Sequence, residues 1–191
     1  MSTAPLFEAE DTTEVPTPED TRYTEAHLLR LLRARYERDG GNGSRYVFAT
    51  HVRNRASFDA SRTFDAVAVD LWRSSGLLVH VFEVKVSRGD WLRELSDLDK
   101  SAAAIDRGDT FTVVAPAGIV RMDELPDGWG LFESPRPGLL TTRRAPRVHR
   151  TREHSRAIYP DMPRDFVVPL LRAAVRTARD GATSTTPEET T

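Results

Sequence analysis

The sequence predicts a mixed α/β fold in which helices cover a sheet. Three observations predict it. Three strand-like runs lie close together in the first half, and a Gly-containing turn joins the last two. Helical apolar stripes flank these runs, each closed by glycine. A further strand-like run follows the second helix, an order that stacks helices on a sheet.

The elements follow in order. Thr24 can cap a helix to about Arg38, with Leu28, Leu29, Leu32 and Tyr36 as its apolar stripe. Gly40, Gly41 and Gly43 end it. Tyr46–Val52 reads as a strand, Phe64–Trp72 as a second and Leu77–Val86 as a third. Ser87 and Asp90 have capping-box spacing and open a helix whose stripe is Trp91, Leu92, Leu95 and Leu98. That helix is expected to end near Gly108. Phe111–Ala115 is a fourth strand, stopped by Pro116. Short strand candidates follow at Gly130–Glu133 and Leu139–Thr142. A C-terminal helix is expected within 163–181, beginning near Pro169, a good first-turn residue. Its expected face is Leu170, Leu171, Ala174, Val175 and Ala178.

Residues 1–20 are rich in Pro, Thr, Asp and Glu and read as a disordered acidic tail. Residues 182–191 (ATSTTPEETT) read the same way. Residues 21–181 then form one domain. All 27 Lys and Arg lie in that domain, whereas eight of the 29 acids lie outside it. The domain therefore carries +6, although the chain carries −2. Such a surface is compatible with a polyanionic partner. The chain has no cysteine, which excludes disulfides, thiolate metal sites and a cysteine nucleophile. No apolar run is long enough to span a bilayer, and the N-terminus lacks a signal-peptide pattern. The expectation is a cytoplasmic protein with no membrane partner.

The hairpin carries the chemistry. With a three-residue Ser74-Ser75-Gly76 loop, Arg73 faces Leu77 and Asp65 lies opposite Lys85. Side chains alternate along a strand, so Asp65, Glu83 and Lys85 share one face. Asp65 and Glu83 become diagonal neighbours. The face is otherwise apolar: Val67, Val69, Leu71, Leu77, Val79 and Val81. Charges at the end of such a stripe should be paired or bind metal. Two carboxylates suit Mg²⁺, and Lys85 can orient an attacking water and offset developing negative charge. A structural ion pair between Lys85 and a carboxylate is the competing reading. Lysine choice adds weight, because the only lysines are Lys85 and Lys100 in a chain that otherwise uses arginine.

The stretches TFDAVAVD and VFEVKVSRGDWLREL resemble the PD-(D/E)XK nuclease superfamily. They are most similar to its MmcB-like DNA-repair group and to related phage and actinobacterial nuclease-like proteins. TFTVVAP and LPDGWGLFE resemble that group's next strand and loop. The resemblance covers about residues 22–148 and is strongest at 63–133. It implies a restriction-endonuclease-like αβββαβ core, with a mixed central sheet flanked by helices. It implies Asp65 and Glu83 as ligands of Mg²⁺ or Mn²⁺, Lys85 as the catalytic lysine and a 5′-phosphate product. Phe64 stands where the superfamily name has Pro. Many members also place an acid from the first helix beside the metal, which makes Glu25 a candidate. Its competing reading is a first-turn Glu that stabilises the helix dipole.

Other residues are weighed beside these. Asp70 and His80 would face each other across the hairpin, as a hydrogen-bonded pair or a second metal site. Lys100 is either a phosphate contact or an exposed helical charge. Residues 136–156 form a basic segment containing Arg143, Arg144, Arg147, Arg150 and Arg152. It is the best phosphate-tracking candidate, with a solvated loop as its alternative. Two functions are carried forward. One is a Mg²⁺-dependent DNA endonuclease in repair, recombination or phage DNA processing. The other is an inactive nucleic-acid-binding or assembly protein that keeps the fold. A homodimer or other protein partner is left open by the sequence.

Overall fold

The computed structural model describes residues 23–37, 45–55, 63–96, 107–149 and 164–183. Six strands form one sheet in chain order: β1 (Tyr46–Arg53), β2 (Thr63–Asp70), β3 (Val79–Val84), β4 (Thr110–Pro116), β5 (Gly130–Arg136) and β6 (Leu139–Arg144). The pairs β1–β2 and β2–β3 are antiparallel, β3–β4 and β4–β5 are parallel, and β6 returns antiparallel to β5. Helices α1 (Glu25–Tyr36), α2 (Arg88–Leu95) and α3 (Arg164–Thr183) complete the described residues. The fold is mixed α/β, in the element order expected.

Each sheet face has its own core. Leu28, Leu29 and Leu32 of α1 bury themselves on one face against Phe48, Ala66, Phe82, Val114 and Phe132. Thr24 caps α1 by accepting the His27 N–H at 3.1 Å. Trp91 of α2 and Phe166, Leu170 and Ala173 of α3 cover the other face, over Val67, Val81, Val113 and Leu131. Among the described residues no helix is long and apolar enough to cross a membrane.

The hairpin register differs from expectation. Val69 pairs with Val79 and Ala66 with Phe82, a shift of two residues. The cause lies at the turn. The Asp70 carboxylate accepts the Trp72 N–H at 2.9 Å, and the Leu71 N–H bonds to the Arg45 carbonyl. Leu71 and Trp72 are thereby drawn out of the hairpin ladder. The turn grows to include a 3₁₀ segment, Arg73–Ser75, followed by Gly76 at φ 91°. A shift of two preserves which side chains share a face. Carried one residue past its last pair, Ala66–Phe82, this register sets Asp65 across from Glu83 instead of diagonal to it.

The Asp70–His80 pair does not form. Asp70 is almost fully buried and holds Arg45 at 2.6 Å. His80 Nδ1 hydrogen-bonds the Thr110 hydroxyl at 2.8 Å instead. The shifted register sets His80 opposite Ala68 and leaves Asp70 to the turn.

Two helix faces are also corrected. In α2, Trp91 is buried but Leu92 is 47% exposed. In α3, Pro169 lies inside the helix, which starts at Arg164 and runs past the expected end to Thr183. Its buried stripe is Phe166, Leu170, Ala173 and Thr177, while Leu171 and Val175 are exposed. Phe166 anchors that stripe, and the Thr177 hydroxyl fixes its rotation by accepting the Thr50 N–H at 3.1 Å. A helix begun at Pro169 omits the residue that sets the face.

Candidate active site

Asp65 and Glu83 meet where the β2–β3 ladder ends. The last paired residues there are Ala66 and Phe82. Beyond them the Val84 N–H turns to the Asp65 carboxylate, donating to Oδ2 at 2.7 Å. This contact replaces a ladder bond and fixes Asp65 against β3. The Glu83 charge acts on the Asp65 carboxyl, which places the two carboxylates near one another at this end of the ladder.

Lys85 follows β3 and is held by its backbone, whose N–H bonds to the Val114 carbonyl at 2.9 Å. Its ammonium lies 2.8 Å from Glu83 Oε1 and 2.9 Å from Glu94 Oε2. All three side chains are largely buried. Glu94 is the site residue that the sequence reading missed. It stands three residues after the buried Trp91, on the inward side of α2. That spacing was the available signal.

The electrostatics are lopsided. Burial pushes the Asp65 carboxyl up to about 7, and the charges of Glu83 and Glu25 push the same way. The Val84 N–H and the Lys85 charge oppose them without prevailing. Burial alone would lower the Lys85 pKa, but Glu83 and Glu94 outweigh it and hold the ammonium above its usual range. One fixed cation therefore serves several carboxylates. The arrangement either keeps a proton on Asp65 or accepts another cation.

Oxygen ligands in surplus over positive charge suit a hard divalent ion. Asp65 and Glu83 are the residues able to hold it. Among the described residues no group of three or more acidic or histidine side chains is disposed to bind metal. Two carboxylates agree with Mg²⁺, which keeps several waters and takes one or two protein carboxylates.

The chain matches no known protein-family model, and no curated protein is similar to it. One solved structure is similar, described as the SPO1766 protein of unknown function from Silicibacter pomeroyi. It shares 15% identity and a TM-score of 0.53, over 89% of this chain and all of that one. The likeness is one of fold.

The remaining candidates are placed as follows. Glu25 opens α1, half-exposed, 3.7 Å from His51 Nδ1 and close enough for Asp65 to feel its charge. Ser87 caps α2 as expected, and Asp90 already faces its N-terminus by bonding the Ser87 hydroxyl at 2.7 Å. Arg88 pairs with Glu124, which also accepts the Trp91 indole N–H at 3.1 Å. This joins the start of α2 to the loop before β5.

The basic segment is less free than its sequence suggests. Arg144 spends its guanidinium on the Leu125, Pro126 and Trp129 carbonyls. Arg143 pairs with Glu133 at 2.9 Å and Arg147 with Asp127 at 2.8 Å. Arg144 is thus a brace of the fold and not part of a phosphate rail. Lys100, Arg150 and Arg152 lie outside the described residues.

Proposed function

We propose that the protein is a divalent-metal-dependent phosphodiesterase acting on DNA, built on a restriction-endonuclease-like core. One observation carries the reading. Asp65 and Glu83 lie one residue beyond the last β2–β3 pair, close enough for the Glu83 charge to push the Asp65 carboxyl up, with the Lys85 ammonium 2.8 Å from Glu83. The sequence resemblance at TFDAVAVD and VFEVKV supports it.

The residues divide the work. Asp65 and Glu83 would hold Mg²⁺ or Mn²⁺, which when bound polarises a phosphoryl oxygen and lowers the pKa of water. Lys85 supplies a compact charge beside the attacked phosphate and hydrogen bonds that orient water. Glu94 is the second carboxylate that holds that ammonium, at 2.9 Å. The Val84 N–H keeps one Asp65 oxygen in place. The half-exposed Glu25 would bind a water of the metal shell.

Cleavage assays test this. Purified protein is incubated with plasmid, single-stranded and branched DNA, with Mg²⁺ or Mn²⁺ and then with chelator. The expected result is metal-dependent cleavage that Lys85→Ala slows by about 10²–10³-fold. No metal-dependent cleavage of any substrate by the wild type would sink the reading.

A second reading has its own observation. Lys85 is clasped by two carboxylates, as in a closed structural ion network. A non-catalytic nucleic-acid-binding or assembly protein keeping the fold would look the same there. It gains if the wild type binds DNA with steep salt dependence and never cuts it.

A further inference from the structure

We propose that a cavity beyond β4, on the same sheet face, is a pocket for an unstacked, amino-bearing nucleobase of the bound strand; this rests on the phosphodiesterase reading. The cavity is a depression wide open to solvent, about 710 Å³, lined by Val120, Arg121, Met122, Glu133, Pro135 and Arg143. Sites for small ligands run from about 300 to 1,000 Å³.

Register ties the cavity to the carboxylate pair. Glu83 pairs with Val113, and Val113 with Leu131. Glu133 stands two residues beyond Leu131 and so projects from the same face. Two strand spacings across the sheet and two residues along it separate Glu83 from Glu133, about 12 Å in all. A few nucleotides of strand bridge that distance. Both positions approach the carboxyl ends of the parallel strands, where open α/β sheets bind ligands.

The lining has the chemistry of a base site. Glu133 is 8% exposed, a poor place for a carboxylate without partners. Arg143 Nε holds its Oε2 at 2.9 Å, which fixes the carboxylate at the pocket wall. A carboxylate accepts from an exocyclic amino group such as cytosine N4. Thymine offers a carbonyl at that position and is repelled. Val120, Met122 and Pro135 give apolar surface for the face of the ring. Arg121 stands on the rim, exposed and paired with Asp123 at 2.8 Å, where a phosphate can compete for it. A base enters only when unstacked, so the pocket favours single-stranded or branched DNA.

The test is fluorescence anisotropy with labelled oligo-dC and oligo-dT at pH 8, in chelator so that nothing is cut. The wild type is expected to prefer oligo-dC by about tenfold. Glu133→Gln, whose amide can accept or donate, should bring the two within about twofold. Arg121→Ala, at an exposed position that spares the fold, should weaken both by a few-fold. Equal wild-type affinity for the two oligonucleotides, binding of neither, or variants that bind as wild type would each overturn the pocket. Cleavage is scored separately. Metal-dependent cutting with no base preference keeps the phosphodiesterase and discards the pocket. Base-selective binding without cutting does the reverse.

Discussion

Lys85 is the residue on which the proposed chemistry turns, and its surroundings set its consequences. Lys85→Ala should lower the cleavage rate by about 10²–10³-fold, the scale of losing one charge-stabilising donor. Lys85→Arg should not restore it, because a planar, permanently charged fork does not reproduce the compact ammonium that meets Glu83 at 2.8 Å and Glu94 at 2.9 Å. The same Lys85→Ala change leaves two buried carboxylates without their cation. A stability loss of about 2–3 kcal/mol is expected by denaturant titration. Asp65 gives a pH prediction. Its carboxyl is raised to about 7 from an ordinary 3.8. Between those values the folded chain holds a proton that the unfolded chain has lost. Stability of the metal-free protein is therefore highest near pH 4 from this group and falls as pH rises through 7. Thermal melts should show Asp65→Asn flattening that fall. A wild type whose stability rises steadily from pH 5 to 8 without metal would contradict the assignment. Asp65, Glu83 and Lys85 were legible because alternation along a strand puts odd-numbered residues on one face. Glu94 was not, because a Glu beside Arg93 reads as solvent-facing until the buried Trp91 fixes the helix rotation.

At the scale of elements, α2 is what holds Glu94 to Lys85. Ser87 caps it, and Arg88, Trp91 and Glu124 tie it to the loop before β5. Ser87→Ala should cost about 1 kcal/mol, as N-cap losses do. It should also slow cleavage, because the cap loss loosens the helix that carries Glu94 to Lys85. An unchanged cleavage rate in a folded Ser87→Ala variant would show that α2 does not position the site. The Arg88 guanidinium holds Glu124 down at about 2, so this tie survives acid that protonates ordinary carboxylates. The hairpin teaches a different lesson. Its loop is longer than the Gly-based reading because Asp70 caps the turn two residues on, a local Asx signal, and because the Arg45 carbonyl just before β1 takes Leu71, a contact with no local signal. The face assignment survived because the error was an even number of residues. The α3 face failed for a related reason. Periodicity within 170–178 fits two rotations, and Phe166 with the Thr50–Thr177 bond selects between them.

At the scale of the whole molecule, charge is distributed differently from its listing along the chain. The basic segment looked open because acids are scarce within it. Glu133 and Asp127 are distant enough in sequence to escape that count, yet they pair with Arg143 and Arg147. DNA affinity should therefore depend on salt only moderately. Each neutralised phosphate contributes a slope of about −0.9, and a log–log slope shallower than about −4 is expected. A slope near −8 would mean that these arginines leave their partners for phosphates. The layered architecture was readable because each element announced its period. What joins distant elements was not, since ion pairs and carbonyl braces such as Arg144 carry no periodic signature.

All of this rests on Asp65 and Glu83 accepting a divalent cation together. Mn²⁺ titration followed by the EPR signal of free Mn²⁺, with a non-cleavable phosphorothioate oligonucleotide present, addresses that directly. The wild type is predicted to take up about one or two ions per chain, within the usual stoichiometry of such phosphodiesterases. Asp65→Asn and Glu83→Gln should each lose that uptake while remaining folded. Uptake that both variants retain, or none by the wild type, would contradict the account.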